Sequence, residues 1–333
     1  MSDAPVLRAP VRPVPVVRDR RTGVVVVSLL VAVLSFVGVW LLWRVFVDTL
    51  AGQEVDNAAL QGARYGQTQL WRVAEHVLDV VSVGFIATVL IAAMLIAALR
   101  RRWSLAVQVA VLMIGANLTT QVLKNHVFEQ TWFGVEASYG NTLPSGHTTA
   151  AASISAALLL VVPPRVRPWA AVLGAAYTTA TGVSTLIGQW HRPSDVVAAV
   201  LVVLAWTAIA CALVALTPPR VPTATGALRI PTGREADRDA TPATMRAVVS
   251  VLVVVGVAAG GAAAVAISHT WHNRNELTSR ADQLTAYFGG AAGALMASCL
   301  AFAIMLVLRQ AAAARPGVVG TDVQSTRPPG SYA

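Results

Sequence analysis

The chain has 333 residues, of which 56% are hydrophobic and only 12% charged, about half the charged share of a soluble globular protein. Its formal net charge is +9, but the basic residues sit in short stretches between long apolar blocks. That pattern excludes an ordinary soluble domain and reads as membrane topology rather than as a nucleic-acid footprint.

Residues 1–22 are rich in Pro and Arg without periodicity, which predicts a disordered basic tail. The run from Val24 to Leu42 is too long for a signal-peptide core and lacks a small-residue cleavage site, so it is expected to be a retained first span. Trp40, Trp43 and Arg44 mark its far end as interfacial anchors do. Residues 48–77 are polar with mixed charge, and predict a partly helical segment near the membrane surface. Further spans are expected over Leu78–Leu99, Trp103–Leu123, His147–Val162, Pro168–Ile187 and from Pro193 or Ser194 to Leu216. The fourth stops at Pro163-Pro164, which cannot continue a helix.

A polar linker (217–243) leads to two last spans, Ala247–Ile267 and Ala286–Leu308. Both carry the small residues that let membrane helices approach closely. The tail 310–333 is expected to be disordered. This predicts an all-α integral membrane protein of eight transmembrane helices: a core over 23–216 and a two-span hairpin over 244–309, for which a protein partner is one possible role. Cys211 and Cys299 fall inside apolar runs, so neither a disulfide nor a metal site is expected.

Eighteen of the 25 basic residues lie in segments 1–22, 100–102, 163–167, 217–246 and from Arg309 to the C-terminus. With eight spans all of these share one side, which the positive-inside rule makes cytoplasmic, with both termini. The only lysine, Lys124, then lies on the outer side together with His147 and His191.

Those two histidines stand in the stretches Asn141-Thr-Leu-Pro-Ser-Gly-His-Thr-Thr149 and Gly188-Gln-Trp-His-Arg-Pro-Ser-Asp195. Proline is favoured at the first position of a helix, so the sixth span is expected to begin at Pro193 with Asp195 in its first turn. A carboxylate there reaches back to the imidazole of His191, fixing its tautomer and suiting it to act as nucleophile or base. Pro144-Ser145-Gly146-His147 is a turn entering a helix N-terminus, where exposed N–H groups favour an anion. His147 beside such an anion suits a general acid. Lys124 adds a cation for a phosphate, and Arg192 is a further candidate contact.

Lys124, Pro144-Ser145-Gly146-His147 and His191-x3-Asp195 together resemble the type 2 phosphatidic acid phosphatase (PAP2) superfamily over about residues 24–216. The segment Gly52-Gln53-Glu54-Val55-Asp56-Asn57-Ala58-Ala59-Leu60 is similar to an actinobacterial branch of it. The resemblance implies a six-helix core in a bacterial plasma membrane, hydrolysing a lipid phosphate or diphosphate at the outer leaflet without a metal or other cofactor. It makes His191 the nucleophile that forms a phosphohistidine, Asp195 its orienting partner and His147 the acid for the leaving alcohol. Lys124, Ser145 and Gly146 would hold the phosphate.

Two positions depart from the family pattern. Its first motif has Arg-Pro after the lysine and six residues, where this chain has Thr131-Trp132. Its third has Ser-Arg separated by five residues from the nucleophile, where this chain has Ser184-Thr185. Thr131, Thr185 and Arg192 are the residues that would supply partial replacements. The alternative expectation is a weakened pseudophosphatase that binds or carries phospholipid or polyprenyl phosphate. A transporter is disfavoured because no charged residue sits mid-span.

Overall fold

Eight α-helices follow one another among the residues that the computed structural model describes, namely 18–79, 88, 91, 103–135, 140–216 and 242–313. They are α1 (Arg18–Leu42), α2 (Leu50–Asp79), α3 (Trp103–Val122), α4 (Gly146–Val161), α5 (Arg167–Ile187), α6 (Pro193–Leu216), α7 (Pro242–His272) and α8 (Arg280–Ala313). Six stretches, in α1, α3, α5, α6, α7 and α8, are long and apolar enough to cross a membrane, and α4 is a shorter apolar helix. No strand occurs among the described residues. The chain is an all-α, multi-pass membrane protein.

Local sequence explains where these helices begin and end. Ser145 caps α4, its Oγ accepting the N–H of Thr148 at 3.3 Å, and the helix stops before Pro163-Pro164. A proline opens α6 and another lies in the first turn of α5. The helices α1 and α3 both finish in a widened π turn, Trp43–Val47 and Leu123–Val127. Those two ends meet: the rings of Trp43 and Phe128 stack at 5.1 Å, and Trp43 Nε1 donates to Glu129 O.

The most enclosed span is α6, packed among α1, α3, α4 and α8. Along α1 and α7, by contrast, Val26, Leu30, Leu34, Val254, Val257 and Val265 are exposed, as on a lipid-facing surface. Hydroxyl and amide groups join α3 to its neighbours. Asn117 Nδ2 donates to Ser153 Oγ, Thr120 and Thr149 share a 2.9 Å hydrogen bond, and Trp206 Nε1 donates to Thr119 Oγ1. Such bonds hold membrane helices where apolar burial gives little drive.

Three findings differ from the sequence-based expectation. The helix α1 begins at Arg18, inside the stretch read as a tail. Residues 50–79 form one continuous 30-residue helix rather than a partly helical surface segment, and its first half is buried against α5 and α8. Hydropathy does not flag it because polar and charged residues such as Gln53, Glu54, Asp56 and Asn57 run through it. Finally, the C-terminal hairpin is built into the bundle, since α8 contacts α2, α5 and α6 as well as α7. Phe302, Met305 and Leu306 of α8 are fully buried in the main core. The expected span Leu78–Leu99, the linker 217–241 and residues 314–333 lie outside the described residues, Leu78, Asp79, Thr88 and Ile91 excepted.

Candidate active site

One end of the bundle gathers four helix termini: the C-terminal ends of α3 and α5 and the N-terminal ends of α4 and α6. Backbone bonds tie them together. Ser145 N donates to Asp195 O at 3.0 Å, and Thr185 O accepts from Trp190 N at 3.0 Å and from His191 N. Asn141 adds a side-chain lock, its Nδ2 donating to the carbonyls of Lys124, Phe128 and Leu143 while its Oδ1 accepts from Leu143 N. The loop before α4 is thereby fastened to the π turn that carries Lys124.

His191 and Asp195 form the expected pair across the start of α6, with Nδ1 to Oδ2 at 3.2 Å and both residues buried. The same Oδ2 also accepts from Thr142 Oγ1 at 2.6 Å and from Arg192 N at 2.9 Å. A carboxylate with three donors is held firmly and stays an acceptor. Because Nδ1 faces Asp195, it carries the proton and His191 Nε2 keeps its lone pair.

His147, in the first turn of α4, stands beside His191 with ring centroids 6.1 Å apart at 65°. Trp190 lies against it at 5.2 Å, and Trp71 of α2 meets Trp190 edge-on at 5.8 Å. The Nδ1 of His147 is buried without a hydrogen-bond partner, a state that costs about 1–3 kcal/mol. Lys124 is half-buried and close enough to act electrostatically on both His147 and Asp195.

The remaining predicted site residues are distributed as follows. Ser145 is fully buried and engaged as the cap of α4. Gly146 faces open space: a Cβ there would meet nothing closer than Gln121 Nε2 at 3.8 Å, so packing within the protein does not demand glycine. Arg192 is buried beside the pair, and its backbone N–H braces Asp195. Thr131 and Thr185, which stand at the two family arginine positions, each have a hydrogen-bond partner within the protein. Thr131 Oγ1 donates to Asp48 and Thr185 Oγ1 to Gly182 O at 2.7 Å, so both hydroxyls are already committed.

Sequence reasoning passed over four residues here. Thr142 and Asn141 lie inside the first histidine stretch, yet local spacing does not show that the hydroxyl of Thr142 meets Asp195. Trp71 and Asp56 come from α2. Asp56 is buried and accepts from Ser194 N at 3.3 Å and from Ser194 Oγ.

The helix α8 closes the site from behind. Gly290 lies so near α6 that a Cβ on it would overlap Pro193 Cγ and come within 2.9 Å of Pro193 Cβ. Gly290→Val is expected to displace the turn that positions His191 and Asp195, lowering turnover of any substrate by about tenfold or more. Steady-state kinetics on the purified variant checks this; unchanged kcat would show that the α6 turn yields without consequence.

Compared with protein families, residues 105–218 match the PAP2 superfamily. That segment contains Lys124, Ser145, Gly146, His147, His191, Arg192 and Asp195, and excludes α1, α2, α7 and α8. No curated protein and no solved structure matches the chain.

Proposed function

We propose that the chain, whose residues 105–218 match the PAP2 superfamily, a family generally of phosphatases acting on phosphate esters, hydrolyses a lipid phosphate or diphosphate through a phosphohistidine on His191, without a metal. The observation that carries this reading is the pairing of an oriented imidazole, His191 on Asp195, with a second imidazole 6.1 Å away.

In the first step Nε2 of His191 attacks phosphorus, the bond from phosphorus to the leaving oxygen breaks, and His147 delivers a proton to that oxygen. Asp195 stabilises the cationic ring that results. Water then attacks the phosphohistidine, giving up a proton to His147 as the P–N bond breaks and inorganic phosphate leaves. A Cβ on Gly146 would meet nothing closer than 3.8 Å, so a substrate oxygen has room to approach the N-terminus of α4. Lys124 and Arg192 supply positive charge for the phosphoryl group.

The position of the site supports a lipid substrate. It sits at an end of a bundle whose α1 and α7 present apolar residues outward, so a headgroup reaches it while its tail stays among helices. The opposite end holds arginines: Arg309 donates to Leu160 O through Nε and Nη2, and Arg167 Nη1 to Gln310. The positive-inside rule applied to those arginines supports a cytoplasmic end there and a site on the outer face of the membrane.

A second reading, a phospholipid or polyprenyl-phosphate binder with little turnover, is favoured by the committed hydroxyls of Thr131 and Thr185. Neither arginine position carries a guanidinium, each hydroxyl there already has a protein partner, and a single hydroxyl is no equivalent of a bidentate guanidinium. Phosphate release from phosphatidic acid, phosphatidylglycerophosphate and polyprenyl phosphates in detergent separates the two. The phosphatase reading expects multiple turnovers on at least one of them; retention of anionic lipid with no release on any supports the binder.

A further inference from the structure

We propose that Asp56, on α2 and outside the segment matched to the family, is a positioning residue for the His191–Asp195 pair, acting through Ser194. Its kinetic consequence rests on the phosphatase reading; its geometric part does not.

The first turn of a helix leaves backbone N–H groups without internal partners. In α6, Pro193 has none, and the N–H groups of Asp195 and Val196 turn back to Arg192 O at 3.1 and 3.3 Å. That leaves Ser194, whose N–H and hydroxyl both go to the Asp56 carboxylate. Asp56 is thus a cap delivered to α6 from another helix. Ser194 is held by α2 and its neighbour Asp195 by His191, Thr142 and Arg192 N, so the two grips share one peptide unit. Rotating the turn to relax one would pull the other.

The helix α2 is itself anchored on both sides of Asp56. Gln53 Nε2 donates to Thr131 O at 2.9 Å and Val47 O at 2.7 Å, and Gln189 Nε2 donates to Leu60 O at 2.7 Å. The cap therefore comes from a rigid support rather than from a mobile side chain.

A neutral asparagine would cap the helix through one oxygen but could not accept both donors of Ser194, which go to different oxygens of Asp56; the buried carboxylate that does so carries a desolvation cost. Burial, with the Asp195 charge second, pushes the Asp56 carboxyl up to about 7. The charged groups acting on it are Asp195 on α6 and Arg192 just before it; from α5, α7 and α8, which also pack on α2, none does among the described residues. The folded carboxyl thus binds its proton more tightly than the unfolded one. The stability this gives is full below the ordinary carboxylate range and is lost as pH rises through about 7. Above that pH the charge works against the fold, which fits a group kept for geometry at the site.

The test uses the full-length chain in detergent with Asp56→Asn, Asp56→Ala and Ser194→Ala, followed by phosphate release and by nitrogen-15 NMR of labelled histidine, with His191 assigned from His191→Ala. Asp56→Ala and Ser194→Ala are each expected to lower kcat by about tenfold or more with KM nearly unchanged. The double variant is expected to be no slower than the worse single one. In both singles the His191 Nδ1 signal shifts in the direction it takes in Asp195→Ala. Asp56→Asn lowers kcat while its melting temperature at pH 8 does not fall below wild type, a combination that a purely structural role would not produce. Unchanged His191 signals, or losses that multiply in the double variant, would overturn the proposal. If wild type releases no phosphate from any substrate, the phosphatase reading fails while the His191 signal still decides the role of Asp56. Should Asp56→Ala not fold, Asp56→Asn and Ser194→Ala carry both readouts.

Discussion

Replacing His191 by alanine is expected to abolish phosphate release whatever the leaving group, whereas replacing His147 slows it in proportion to the basicity of the leaving alcohol. The difference follows from the two environments. His191 has Nδ1 on Asp195 and Nε2 free, so it is the ring equipped to bond to phosphorus. His147 has no orienting carboxylate; its neighbours are Trp190, His191 and open space in front of Gly146. A nucleophile that forms the covalent intermediate has no substitute, and its loss costs at least about 10³-fold. A general acid contributes about 10²–10⁴-fold, and less when the leaving group departs readily unprotonated. Rates for His147→Ala on an alkyl lipid phosphate and on a nitrophenyl phosphate should therefore diverge, with most of the deficit vanishing on the second. His191→Ala should be equally inactive on both. If His191→Ala regains activity with the acidic leaving group and His147→Ala does not, the roles are reversed.

The part of this site that could be read from the sequence is the part fixed by short spacing. Pro193 at a helix start places Asp195 one turn from His191, and the structure shows that pair. The Ser145 turn opening α4 is local in the same sense, as are the proline breaks after α4 and before α6. What spacing does not encode is the supporting layer. Asp56 and Ser194 are 138 positions apart and Thr142 and Asp195 are 53, and nothing periodic links either pair. The helix α2 escaped for a related reason. Its buried face mixes Val55 and Leu60 with Gln53, Asp56, Ala58, Ala59 and Ala63, and the small and polar members, which close-packed helices use as contacts, dilute its hydropathy. The Gly and Ala of α8 signalled close approach without naming its partners, which include α2, α5 and α6 as well as α7.

That close approach makes Gly62 the position where substitution should most directly part α2 from α8. A Cβ on Gly62 would overlap the carbonyl oxygen of Gln283, lie 2.7 Å from its carbon and crowd Tyr287 Cβ at 2.8 Å. The obstacle is the backbone of α8, which moves only if the helix moves. Overpacking where neighbours can adjust costs about 1–3 kcal/mol; here α2 and α8 must separate along a line that also contains Ala59 and Gly290, the latter against Pro193. Gly62→Val is therefore expected to lose at least that much stability, and turnover with it, since parting α2 from the bundle withdraws the cap on Ser194 and the Trp71 contact to Trp190. Gly261, on α7 with nothing within 4 Å of a Cβ, is the control: Gly261→Ala should gain up to about 1 kcal/mol from helix propensity alone. Thermal unfolding of both variants in the same detergent makes the comparison. A Gly62→Val protein that melts with Gly261→Ala would mean that α8 does not bear on α2. A large drop with lost activity would make the last two spans part of the working enzyme rather than an appendage to the family core.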